Sequence, residues 1–599
     1  MPKVTGMRKP SGKVEHAKNK KGTLLRVLKY LSKYKGLLIF AIIITIIYNL
    51  LALVTPLLSG RLLDYLKDRV DNNFDIDYVV VWQYIITLIS IFTLLFVLTY
   101  IGNLIITRVS KKIVATLRHD SFNSLSRIPV SYFDHNQIGD IISIMSYDID
   151  TVSTSLSNDV VTIFSSFIQI TGSLILMIII SWKLCLVFAI TLPISVLFSR
   201  IMLKKLHPLF RARSNKLGIM NGYSEEIITG IKTIKSYSKE DYTLEKYKVV
   251  NKDAADAMYK ADYHGCVMGP TMNFINQFTT ALICVVGALL CIYEGFTYGY
   301  ISAFTQYSKK FAGPINEMAN IATDIGSALA AAERVFALID EAPENVNDNK
   351  DAKEIITTEG KIKFDHVKFG YTDTPVLKDF SLDVLSGKKI AIVGKTGAGK
   401  TTIINILMRF YDINSGKITL DDIDTKDITR SSLRHQFAMV LQDTWLFEGT
   451  VYENLAYGNP NVTQDDVIEA CKKAHIHSFI MQLPNGYSTI LKENGGNISK
   501  GQKQLLTIAR AMLLKSSILI LDEATSNVDT KTEMDIGDAM NKLMEGKTSF
   551  IIAHRLSTIK NADTILLLSN GDVIEMGSHN ELMAKQGQYY NLFISQYDR

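Results

Sequence analysis

The sequence predicts an all-α transmembrane domain of six helices followed by a soluble α/β domain built around a phosphate-binding loop. Three observations carry that reading. Long stretches without charge are confined to the first half, a glycine-rich GKTGAGKT segment follows a short apolar strand in the second, and further on an aliphatic run ends in two acids, ILILDE. At 599 residues the chain is too long for one core and must divide into several compact units.

Between Lys35 and Arg61 no residue is charged, and the same holds from Tyr78 to Thr107, from Val160 to Trp182 and from Tyr263 to Tyr293. About 20 apolar residues at 1.5 Å each cross a hydrocarbon core of roughly 30 Å, so each run is long enough to span a bilayer. Leu184 to Leu203 supplies the fourth span despite Arg200 near its end. The sixth is placed at Phe296 to Ile321, with Lys309, Lys310 and Glu317 facing other helices or a wet cavity rather than lipid. Lys309 and Lys310 read first as snorkelling toward the inner interface and second as lining a cavity. The membrane domain then covers 36–339, with spans at about 36–60, 78–107, 158–182, 184–203, 263–293 and 296–321.

The first 35 residues hold eleven Lys or Arg against one acid, Glu15, whereas the turns at Trp182–Lys183 and Glu294–Gly295 carry almost no positive charge. By the positive-inside rule the N-terminus is cytoplasmic, and six spans return the second half to the same side. No cleavable signal is expected, since its apolar core would be shorter and followed by a small-residue cleavage site. Within the tail, 1–35, Leu24, Leu25, Leu28 and Leu31 share one face of a helix studded with Arg26, Lys29 and Lys33, which suits a helix lying in the membrane interface. The net charge of +6 sits beside membrane spans, where topology and anionic lipid account for it, so nucleic acid is not an expected partner. Five cysteines without CxxC spacing read as packing residues in a reducing compartment.

Two stretches inside the membrane half, about 108–159 and 204–262, are too long for turns and carry helical periodicity, so the spans should extend beyond the bilayer as paired helices. Short helices are expected at their tips, near Tyr132 to Gly139 and Arg213 to Tyr223. A polar stretch, 340–360, then reads as a linker, with Pro343 and several Asn. Alternating short apolar strands and helices fill 361–599.

In GKTGAGKT, Gly394, Lys395, Thr396, Gly397, Ala398 and Gly399 form a loop between the strand Lys389–Val393 and a helix that runs on through Thr402. The glycines let backbone N–H groups wrap a phosphate chain at a helix N-terminus, Lys400 reaches the terminal phosphates, and the Thr401 hydroxyl can hold Mg²⁺. The strand Ile518–Leu521 ends in Asp522, a carboxylate placed to hold the metal through water, and Glu523, placed to polarise an attacking water. Between these lies NISKGQKQ, whose Ser499, Gly501 and Gln502 open a helix and read either as an anion grip or as a plain cap.

The phosphate loop, the SKGQ helix start, the LDEATSNVD strand end and the IIAHRLST segment, in that order, resemble the ATPase of ABC transporters, and with the six spans the resemblance covers nearly the whole chain. It implies an α/β P-loop NTPase domain that binds ATP with Mg²⁺. It further implies that Tyr371 stacks on adenine, that Gln442 senses Mg²⁺ and the membrane domain, that His554 contacts the γ-phosphate, and that Ser526 to Asp529 cross to a partner domain. In this family two ATPase domains sandwich two ATP molecules, each held between one domain's phosphate loop and the other's Ser-Gly-Gln helix start. A second half-transporter chain is therefore an expected partner, alongside the lipid bilayer and an amphipathic small-molecule substrate. The tips in the membrane half resemble coupling helices.

Two departures stand out. Lys500 occupies the third position of the usual LSGGQ and Ile498 the first, and LKENGGN keeps Glu493 without the usual glycine and arginine of GERG. A glycine there leaves room for phosphate, which a lysine side chain fills. An asymmetric heterodimer is the expected consequence, with a homodimer that tolerates Lys500 as the alternative. The resemblance implies export of drugs or lipids by alternating access; export of a dedicated peptide or lipid, or a gated regulatory subunit that does not pump, are the alternatives. A composition rich in Ile, Lys and Asn fits a bacterial gene of low GC content, hence a multi-pass protein of the plasma membrane.

Overall fold

A computed structural model describes residues 19–597 except 347, 350, 443, 493–494, 523–528 and 553–558, and leaves out the side chains of 156–158, 160, 316, 319–320, 322–323 and 596–597. The chain forms two compact units, one of residues 1–126 and 137–341, the other of 127–136 and 342–599.

The first unit is helical. A short helix α1 (Lys20–Ser32) begins where the Asn19 side chain accepts from the Gly22 N–H at 3.0 Å. It buries Thr23, Val27 and Leu31 and leaves Leu24, Leu25 and Leu28 exposed, so its apolar residues divide between the helical core and the surface. Two long helices follow, α2 (Lys35–Asp71) and α3 (Tyr78–Leu125). The short α4 (Val130–His135) belongs to the second unit. After it come α5 (Ile138–Ser143), a π-helical turn at Ile144–Asp148, and α6 (Ile149–Ile180). Ser181 then caps α7 (Trp182–Thr229) by accepting from the Leu184 N–H. The helices α8 (Ile231–Ser236), α9 (Glu240–Glu294) and α10 (Tyr298–Ile339) complete the unit.

Six of these helices exceed thirty residues, and five contain a window apolar enough to cross a membrane. The sixth, α10, carries Lys309, Lys310, Glu317 and Asp324. The tip expected at Arg213 to Tyr223 lies inside α7, and the short helix comes later, at α8. Helical periodicity runs unbroken through Arg213–Tyr223, while Gly230 and the left-handed Ser238 are where the backbone leaves it.

Four pairings organise the unit: α10 lies along α6 and α2, α2 lies along α3, and α7 lies along α9. The α7–α9 pair is joined by Arg213–Asp262 at 2.6 Å and Lys216–Asp253 at 2.5 Å. The α2–α10 crossing uses two glycines. A Cβ at Gly60 would lie 2.5 Å from the Gly299 carbonyl oxygen, a contact that requires bare backbone on both sides. Asp64 fastens the same place by accepting from the Gly299 N–H at 2.6 Å and the Thr297 hydroxyl at 2.9 Å. Below the π-turn, the buried Asp148 carboxylate accepts from Arg334 Nε at 2.8 Å and Nη2 at 2.7 Å, a forked ion pair onto α10.

The second unit holds two principal sheets. Strands β1 (Ile362–Phe369), β2 (Leu377–Val384), β4 (Ser415–Leu420) and β5 (Ile423–Asp424) form an antiparallel sheet in the order β2-β1-β4-β5. The larger sheet contains β3 (Lys389–Gly394), β6 (Phe437–Val440), β9 (Ile518–Asp522), β10 (Thr548–Ile552), β11 (Thr564–Ser569) and β12 (Asp572–Gly577), in the order β12-β11-β3-β10-β9-β6. All of its pairings are parallel except β11 with β12. A two-stranded ribbon of β7 (Gly449–Thr450) and β8 (Ile490–Leu491) lies apart.

Helices cover the large sheet. They include α11 (Lys400–Leu407), α12 (Arg430–His435), α13 (Val451–Ala456), α14 (Gln464–Lys473), α15 (His477–Gln482), α16 (Lys500–Met512) and α17 (Thr530–Met544). Alternate residues of β3 feed two cores: Ile390 and Ile392 pack with α11 and the antiparallel sheet, Ala391 and Val393 with α14, α16 and α17. Such burial on both faces is why the central strands read as unbroken aliphatic runs.

The polar stretch 340–360 is held to this unit by charge. Asp348 accepts from Arg409 at 2.8 Å and Arg430 at 3.0 Å, and Glu344 from Arg434 at 2.8 Å. Arg409, only 4% exposed, also donates to the carbonyls of Thr425 and Ile428 at 2.7 and 3.0 Å.

Candidate functional site

The parallel strands β3, β10, β9 and β6 end along one edge of the large sheet, the edge at which open α/β sheets bind ligands. The predicted phosphate loop leaves β3 there and turns into α11. Gly397 and Gly399 take φ of +84° and +101°, which side-chain-bearing residues rarely adopt. Gly394 is confined for another reason: a Cβ there would lie 2.4 Å from the Leu568 carbonyl oxygen on β11. Lys395, Thr396 and Gly397 are exposed, and Ala398 is buried beneath them.

Lys400 opens α11 and folds its ammonium back to donate to the carbonyls of Gly394 at 2.7 Å and Lys395 at 3.2 Å. Burial holds that ammonium below the ordinary lysine range, and the Asp522 carboxylate opposes the shift. Asp522 closes β9, two strands from β3 across β10, and so lies on the same edge. Thr401 is exposed at the start of α11, and Gln442 is exposed just past the end of β6, the neighbour of β9. Lys400, Thr401, Gln442 and Asp522 therefore gather on one edge because the strand order brings the ends of β3, β9 and β6 side by side.

Tyr371 stands next to the loop. Its hydroxyl donates to Thr402 Oγ1 at 3.3 Å and accepts from Asn405 Nδ2 at 2.9 Å, so two residues of α11 fix the ring. Tyr411 meets that ring edge-on at 4.9 Å, and its own hydroxyl donates to Asp134 on α4. Asn405 and Tyr411 carry no motif and were not singled out from the sequence; the aromatic spacing Phe369, Tyr371, Tyr411 was the one signal available.

The Ser-Gly-Gln segment forms a separate element. Ser499 caps α16 by accepting from the Gln502 N–H at 3.3 Å, and the Gln502 side chain accepts from the Ser499 N–H at 2.8 Å, a reciprocal capping box with Gly501 buried inside the first turn. Lys500 takes the first helical position and is exposed. Asp529 caps α17 by accepting from the Thr532 N–H at 3.0 Å, a bond that lowers its carboxyl below the usual range. Glu523 and His554, with Ser526 to Val528 and Glu493, lie outside the described residues.

A family model described as ABC transporter transmembrane region matches residues 38–315, and one described as ABC transporter matches residues 377–526. An uncharacterised ABC transporter ATP-binding protein of Bacillus subtilis, YfiC, is 38% identical over 586 residues, covering 97% of this chain and 96% of its own. A fatty acid ABC transporter ATP-binding/permease protein of Mycobacterium bovis is 41% identical over 483 residues, 80% of this chain and 76% of that one. A solved structure of a bacterial Atm1-family ABC exporter with ATP bound matches with a TM-score of 0.75 at 26% identity, covering 94% of this chain and 98% of that one.

Proposed function

Because the chain belongs to the ABC transporter family, as an exporter-type half-transporter whose ATPase is coupled to transport, we propose that it moves amphipathic small molecules, lipids or drugs, out across the plasma membrane by alternating access. The observation that carries this reading is the fusion, in one chain, of six long helices with a phosphate-loop ATPase, the arrangement also found in the solved exporter. The similarity to a fatty acid transporter favours an amphiphile with an acyl chain among the possible cargoes. The basic N-terminal tail supports a cytoplasmic N-terminus and ATPase domain.

In the proposed cycle, ATP lies along the sheet edge with its adenine on Tyr371 and its phosphates wrapped by Gly394 to Thr402. To bind them, Lys400 releases the carbonyls of Gly394 and Lys395 and turns toward the β- and γ-phosphates. Thr401, Gln442 and Asp522 offer only oxygen, the donor set that suits Mg²⁺. Bound there, the ion would neutralise phosphate charge. Glu523 orients the attacking water and His554 contacts the γ-phosphate. Ser499, Gly501, Gln502 and Asp529 act on the ATP of the opposing subunit. ATP binding thereby favours one of two arrangements of the membrane helices, and hydrolysis releases it.

The partner is proposed to be a second, different half-transporter, because Lys500 replaces the glycine that gives room for phosphate; a homodimer is the alternative. One experiment tests the scheme: the purified chain in lipid vesicles, its native mass recorded, is assayed for ATP turnover and for movement of a fluorescent fatty acid, with Glu523→Gln as control. Turnover and movement that both fall at least about 100-fold in the variant support ATP-driven transport, and a folded chain without turnover until a second half-transporter is added supports the heterodimer. Movement that survives the substitution overturns ATP-driven transport, and full turnover at dimer mass without another chain overturns the heterodimer.

A further inference from the structure

Where α7, α9 and α10 meet, they line a half-open cavity of about 130 Å³, with Lys309 exposed at its side. That is close to the roughly 150 Å³ known to admit a benzene ring, so the space suits a head group rather than a whole lipid. Phe188 and Ile275 form part of its wall, and no acidic residue lines it.

Its polar groups are unequal. The hydroxyls of Thr191, Thr279, Thr280 and Ser308 are bound to carbonyls of their own helices, at 3.3, 2.9, 3.0 and 2.8 Å. The Asn276 amide and the Lys309 ammonium have no side-chain hydrogen-bond or ion-pair partner among the described residues. An ammonium brings three donors and an amide two, and a bound hydroxyl can still accept but has little left to give. The cavity is thus rich in uncommitted donors and free of carboxylate, a balance that favours an anion over a cation.

Depth strengthens the point. Lys309 follows the start of α10 at Tyr298 by eleven residues, about 16 Å along a helix axis and so near the middle of a hydrocarbon core of roughly 30 Å. A charge at that depth is costly unless it faces a partner or a wet cavity, and such residues mark substrate paths. The adjacent Lys310 does not line the cavity.

We propose that Lys309 and Asn276 form a head-group subsite for an anionic amphiphile, binding its carboxylate or phosphate while the acyl chain lies along the apolar helices. The proposal rests on the amphiphile-export reading above and specifies which amphiphiles are preferred.

The test uses the full-length transporter in neutral phosphatidylcholine vesicles, with three probes of equal chain length: a fatty acid, its methyl ester and an alkyl phosphate. ATPase stimulation gives a half-saturating concentration for each. In Lys309→Ala that concentration is expected to rise about tenfold for the anions, the scale of one charge-assisted hydrogen bond, and less than about twofold for the ester. Lys309→Arg should keep the anion preference, as should Lys310→Ala. Asn276→Ala should weaken it and provides an independent variant if Lys309→Ala does not fold. A loss confined to the fatty acid or to the phosphate supports the subsite and identifies its head group. Equal shifts for anions and ester, or no shift in either variant, overturn the subsite alone. Wild-type turnover that none of the three probes stimulates overturns amphiphile export and the subsite with it.

Discussion

Replacing Arg409 with alanine is expected to destabilise the ATPase half by about 3 kcal/mol, through loss of a buried ion pair. Arg409 is 4% exposed and gives four bonds: to Asp348, to Asp412 at 3.4 Å, and to the carbonyls of Thr425 and Ile428. Breaking a buried pair by removing one partner costs about 3–5 kcal/mol, and each carbonyl left without a donor adds on the order of 1 kcal/mol. Against this, Arg430 remains 3.0 Å from Asp348, so the carboxylate is not abandoned and that loss falls to roughly 1 kcal/mol, which with the two carbonyls gives about 3 kcal/mol. For a domain of this size about 3 kcal/mol corresponds to roughly 6–12 °C in the midpoint. The assay is fluorescent-nucleotide binding that survives heating of the full-length protein to graded temperatures. Arg409→Lys should fall between wild type and alanine, because an ammonium has three donors on one nitrogen for the four bonds that the guanidinium makes. A midpoint within about 3 °C of wild type for Arg409→Ala would refute the reasoning, since it would mean that these bonds exchange freely with water.

Two further outcomes are expected. Tyr371→Ala should weaken ATP binding by about 5- to 150-fold, the effect of losing about 1–3 kcal/mol of base stacking, whereas Tyr371→Phe, which keeps the ring and loses the bonds to Thr402 and Asn405, should stay within about threefold by nucleotide titration. For pH, burial alone would raise the Asp412 carboxyl, but the hydrogen bond and charge of Arg430, joined by Arg409, outweigh it and hold it below the usual range. A depressed folded value means stability that is present above the unfolded value of about 3.9 and is lost as pH falls through the folded one. The midpoint difference between wild type and Asp412→Asn should therefore be constant from about pH 8 to 5 and shrink below about pH 4.

The fold class was legible because both halves write their burial into composition. Spans announce themselves as uncharged runs, and β9, buried on both faces, has no polar residue before Asp522. The loop glycines were legible for a backbone reason, since Gly397 and Gly399 hold left-handed angles. The rest depends on contacts distant in sequence. Nothing local to Asp348 foretells Arg409 and Arg430, 61 and 82 residues away, so the stretch 340–360 read as a linker although its acids are anchored. Tyr411 carries no motif, and its role beside Tyr371 exists only in three dimensions. The second tip was misplaced because a 48-residue helix shows no internal signal of where it ends except Gly230.

Where Gly60 and Gly299 touch, two helices meet main chain to main chain, with nothing between them that can change rotamer. Side chains ordinarily act as bearings on which helices slide; here there is no bearing, and Asp64 adds a bolt across the joint. α2 and α10 must then swing as a single lever arm. Rearrangement of the membrane half is left to the seams elsewhere, chiefly those between this arm and the α7–α9 pair, which is also the seam where the Lys309 cavity lies.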